Sequence, residues 1–87
     1  MILFKKGDLL ELLDDWSVDT KDGDGANMVN LGPGTLALLL EDIEVVSRYQ
    51  EYVSGIHMFV EGIGLVTTDG STECWRDSWD LVAEAQT

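Results

Sequence analysis

Cysteine, histidine, proline and basic residues are all scarce in this chain, and most of these scarcities exclude something. Cys74 is the only cysteine, so no internal disulfide can form. Neither a cysteine-rich zinc site nor a disulfide-stapled secreted scaffold can be built. His57 is the only histidine, and no ordered nucleophile or acid accompanies it in sequence. The expectation is therefore no enzyme and no catalytic residue. Five lysines and arginines stand against 17 aspartates and glutamates, a formal net charge of −12. A surface of that sign repels nucleic acid and anionic membranes, which argues against direct binding to either. No apolar run approaches the ~18–20 residues of a membrane span. In the opening Met1-Ile2-Leu3-Phe4-Lys5-Lys6 the apolar segment is too short for a signal peptide, and the lysines follow it instead of preceding it. The expected setting is a reducing cytosol, or a virion assembled in the cytoplasm.

What is present is enough for one domain over residues 1–87, with 45% apolar residues and no room for a second core. A chain this short buries only ~60–65% of its unfolded surface, so its stability margin is thin. The acidic excess offers two uses beyond solubility: attraction of a basic partner protein, or cation binding.

Val60–Trp75 organises the chain. A run rich in Ile, Leu, Val and Thr meets Asp69-Gly70, and Ser71–Trp75 leaves it. Asp-Gly between two strand-like runs predicts a β-hairpin, because a type I′ turn needs positive φ at both central residues. Gly62 and Gly64 predict a bulge or sharp bend that lets a small sheet curl. Upstream, Tyr52–Val60 alternates with large apolar residues in both registers, which predicts a strand covered on both faces for part of its length. Thr35–Val46 also reads as strand, a continuous apolar run passing into the alternation of Ile43 and Val45 with Asp42 and Glu44. Leu9–Leu13 fits either a two-turn helix or a strand. Asp14–Asn30, rich in Asp, Gly and Asn, reads as a long loop, and Gly32-Pro33-Gly34, with the only proline, as a tight turn. Trp79–Val82 is a last short strand or a terminal helical turn.

Three pieces in this order resemble the small SH3-like β-barrels of phage and bacterial proteins. Lys6-Gly7-Asp8-Leu9-Leu10-Glu11-Leu12 is similar to their first strand, and Gly34–Glu41 to the strand after the long first loop. Leu65–Trp75 is similar to their central hairpin, with Trp79–Val82 where a short helical turn and last strand would stand. The resemblance implies a mostly β barrel of about five strands, with Leu9–Leu13 as strand and Asp14–Asn30 as a long acidic first loop. Asp42–Gly62 is longer than the pattern needs and implies elongated strands. Proteins of this type serve as binding modules, virion parts and assembly adaptors, so the resemblance implies a fold without choosing a function.

The candidate chemistry is sparse. Taking Gly25 as the sixth position of an EF-hand loop puts Thr20 at position one and Leu31 at position twelve, where a bidentate glutamate is required. That motif fails, leaving Asp19, Asp22, Asp24 and Asn27 as a looser cation site against the reading of a solvated acidic loop. No metal site and no cofactor is expected. His57 reads as a core-edge residue and Cys74 as a packing residue. The tryptophans Trp16, Trp75 and Trp79 serve either as core or as aromatic anchors in a groove, with Trp16 the first candidate anchor because it stands at the mouth of the long loop. The expected partner-binding residues are Trp16, Asp14, Asp15, Asp19, Asp22 and Asp24.

The leading expectation is a non-enzymatic protein–protein interaction or assembly module of phage type, self-associating into a homo-oligomer through Thr35–Val46 and Tyr52–Val66. Strands this apolar need burial by a partner or by another copy. A second expectation is an acidic decoy that occupies a basic, nucleic-acid-binding site on a partner, and it requires carboxylates in a two-row array on one face. A third is a cation-binding module using Asp19–Asn27.

Overall fold

Two long hairpins, one of them folded in half, account for most of the structure. The computed structural model describes residues 1–20 and 27–85. Its strands are β1 (Ile2–Phe4), β2 (Leu9–Leu12), β3 (Trp16–Asp19), β4 (Met28–Leu31), β5 (Leu36–Leu39), β6 (Ile43–Glu44), β7 (Tyr52–Val60), β8 (Gly64–Ser71) and β9 (Trp79–Ala83). One short helix, α1 (Thr72–Ser78), separates β8 from β9. Seven strands form one curled antiparallel sheet in the order β4-β3-β8-β7-β5-β2-β9, and β1 pairs with β6 as a separate ribbon. The fold is mostly β, as expected. The expectation of about five strands is corrected to nine among the described residues.

The first hairpin runs from β2 to β5. Leu9, Leu10 and Glu11 pair with Leu38, Ala37 and Leu36. Trp16, Ser17, Val18 and Asp19 pair with Leu31, Asn30, Val29 and Met28. Each step forward along one arm is a step back along the other, and no residue slips across the corner between the two halves. The corner is made by Leu13-Asp14-Asp15 on one arm and Gly32-Pro33-Gly34 on the other. Proline supplies no amide there, and Gly34 takes φ 91°, a left-handed conformation that suits glycine. Past the corner the two halves join different strands: β5 pairs with β7, and β3 meets β8 at Asp19 and Thr67. That division curls the sheet. Asp14–Asn30 therefore does not read as one long loop: it holds β3 and all of β4 but Leu31, with Thr20 N donating to Asn27 O at their far end (3.1 Å).

The second hairpin, β7–β8, turns at Glu61-Gly62-Ile63, where Gly62 has φ 82° and Gly64 φ 105°. The expected turn at Asp69-Gly70 is thus displaced, and Gly62 and Gly64 make the turn instead of a bulge. The register shift of this hairpin falls between Val53 and Ile56. Gly55 there has φ 69° and donates its amide to Asp69 Oδ1 (2.7 Å). Asp69 serves this irregularity, while Gly70 leaves room for a tryptophan. Ser71–Trp75, expected as a strand, instead starts α1: Ser71 caps it by accepting the Cys74 amide (3.0 Å), and Glu73 lies in its first turn. The long Thr35–Val46 strand is divided into β5 and β6.

The inner face is filled by Trp16, Trp75 and Trp79 with Leu12, Leu39 and Met58. Ring centroids of Trp16 lie 4.8 Å from Trp75 and 5.7 Å from Trp79, and the last two stack at 6.3 Å. All three tryptophans are core. Trp16 Nε1 donates to Thr68 Oγ1 (2.7 Å), which donates onward to Ser17 O (2.9 Å). The Nε1 groups of Trp75 and Trp79 are buried with no acceptor among the described residues, a cost that ring packing must offset. At the other end Asp8 is buried and clasps the chain ends: its carboxylate accepts the amides of Lys5 (2.8 Å) and Ala85 (2.7 Å).

A methyl group added at Gly70 would stand 2.7 Å from two ring carbons of Trp16, and a buried indole between two others has nowhere to go. Gly70→Ala is expected to cost about 1–3 kcal/mol of unfolding free energy. Gly32→Ala, with open space around the new atom, is expected to stay within about 0.5 kcal/mol of the parent. Urea titration of both variants checks the contrast.

Candidate functional site

Alternation along β5 and β7 decides what the sheet shows to the outside. In β5, Ala37 and Leu39 fill the core, so Leu36 and Leu38 must point outward. In β7, Met58 and Val60 are buried while His57 and Phe59 face out. The pairing then sets the outward residues beside one another. Leu9 is opposite Leu38, Leu38 opposite Phe59, and Phe59 opposite Leu65. Ala83 of β9 stands next to Leu9 at the far end.

The result is one apolar row crossing β8, β7, β5 and β2. Neighbouring strands lie about 4.8 Å apart, so the row from Leu65 to Leu9 is about 14 Å long. Leu65 is 55% exposed, Phe59 52% and Leu38 40%, values that set them outside the core. Leu36 adjoins the row, and a shallow groove runs between Leu9, Leu36, Leu38, Phe59, Glu61 and Gly62. An antiparallel sheet with one solvated face ordinarily carries polar residues there. Here a contiguous apolar strip takes their place.

Both sides of the row carry carboxylates. On one side stand Glu11, in register with Leu36 and with Asp80 of β9, and Glu61, whose amide donates to Leu36 O (3.1 Å). On the other side is His57, whose amide donates to Glu41 Oε2 (2.7 Å) and whose Nδ1 lies 2.7 Å from the same oxygen. Lys6 lies next along that side, its amide donating to Asp42 Oδ1 (2.8 Å). His57 is thus an exposed residue whose ring meets the Glu41 carboxylate, not the core-edge residue expected.

Of the residues expected to bind a partner, the structure describes Trp16, Asp14, Asp15 and Asp19. Trp16 is buried, which removes it as an exposed anchor at the mouth of a loop. Asp14 and Asp15 are exposed at the hairpin corner, where the Asp15 amide donates to Asp14 Oδ1 (2.8 Å). Asp19 is buried at the end of β3. Asp22 and Asp24 lie outside the described residues, and with them the loop read as a cation site. Among the described residues no three His, Cys, Asp or Glu side chains converge as metal ligands. Cys74 is exposed on α1, not packed as expected. No helix among the described residues is long and apolar enough to cross a membrane.

Since the row is outside the core, the fold should not depend on it. At a concentration too low for association, Phe59→Ser is expected to change unfolding free energy by no more than about 0.5 kcal/mol. Met58→Ala, one residue away and facing inward, should lose about 2–5 kcal/mol. Thermal melts of the two variants side by side check this.

Compared with protein-family models, with curated proteins and with solved structures, the chain matches none.

Proposed function

We propose that this chain is a non-enzymatic assembly module that associates with further copies of itself through the outer face of β2, β5, β7 and β8. The observation that carries the proposal is the apolar row Leu9–Leu38–Phe59–Leu65, in register across four strands, with Leu38, Phe59 and Leu65 exposed and Leu9 half-buried. A second copy brings an identical apolar row, and row against row removes from water the side chains that the inner core has no space for. The strands concerned are those whose sequences are apolar in both registers, so the surplus belongs to the fold and not to a single stray residue.

The same proposal takes the chain as a variant of the SH3-like barrels of phage and bacterial type, acting in the cytosol or in a particle assembled there. What supports it is the element order: a folded first hairpin, a long second hairpin, one short helix, and a last strand returning to β2.

The charge makes the proposal testable. Two copies of net charge −12 repel each other, and salt screens that repulsion while leaving apolar burial intact. Light scattering of the wild type is expected to give a dimer or larger assembly that persists and strengthens between low and high salt. Phe59→Asp should return it to monomer in both. A wild-type monomer at both salts, at concentrations up to the millimolar range, would overturn the reading.

A further inference from the structure

We draw no further inference here: the strongest candidate, the crevice between β1 and the end of β9 that Asp8 lines together with Phe4, Leu81 and Glu84, carries nothing beyond the clasp of the chain ends already described, because the two oxygens of the buried Asp8 carboxylate are engaged by the amides of Lys5 and Ala85.

Discussion

The contact of Trp16 with Trp75 and Trp79 is what the rest of the structure depends on. Trp16 stands just past the corner of the first hairpin, and the other two stand at the far end of the chain, on and after α1. Without that contact the β3–β4 half of the hairpin has little to hold it folded back, since its backbone register with β8 is confined to Asp19 and Thr67. With it, the three rings close the inner face, Trp16 Nε1 finds Thr68, and Gly70 is left as the position where no side chain fits. A chain of 87 residues builds only one such interior, so its composition beyond the tryptophans is constrained by what that interior can accept.

That constraint explains the outer row. A curled sheet has one inner face, and the inward residues of β2, β5, β7 and β8 already fill it. Leu9, Leu36, Leu38, Phe59 and Leu65 are the remainder, and strand geometry places them on the convex side. A polar residue at Leu38, Phe59 or Leu65 would cost the monomer little in core packing, since each is exposed. In the proposed self-association that apolar character is covered by a second copy, while the high negative charge opposes indiscriminate aggregation.

Much of the fold was legible in the sequence, and the failures have physical causes. Tyr52–Val60 has the bounds of β7 because its alternation is long, whereas Leu9–Leu13 and Trp79–Val82, which agree with β2 and β9 to within a residue, fitted a helical reading as well. The β3–β4 half-hairpin was hidden by its acidic surroundings. Trp16 and Val18 alternate with Ser17 and Asp19, a four-residue signal that Asp14, Asp15, Asp22 and Asp24 outweighed. Asp69-Gly70 was read as a turn because its residues suit one. The fold uses Asp69 to receive the Gly55 amide and Gly70 to admit Trp16, long-range demands that local turn chemistry does not encode. Ser71 and Glu73 suit a helix start, a signal that the reading of Ser71–Trp75 as a returning strand did not use. For the site, the sequence showed the apolar surplus in β5 and β7 without showing that only one face is covered. The register that aligns the row is a tertiary property. The acidic loop drew attention by composition, whereas the row needed the pairing of four strands to be seen.

The measurement that reaches the central claim most directly is a dilution series followed by amide and methyl NMR shifts. Self-association through the outer face predicts that Leu9, Leu38, Phe59 and Leu65 move together with concentration, along one binding curve, while the indole signals of Trp16, Trp75 and Trp79 stay still. Concentration-dependent shifts centred elsewhere, or none up to millimolar chain, would contradict it.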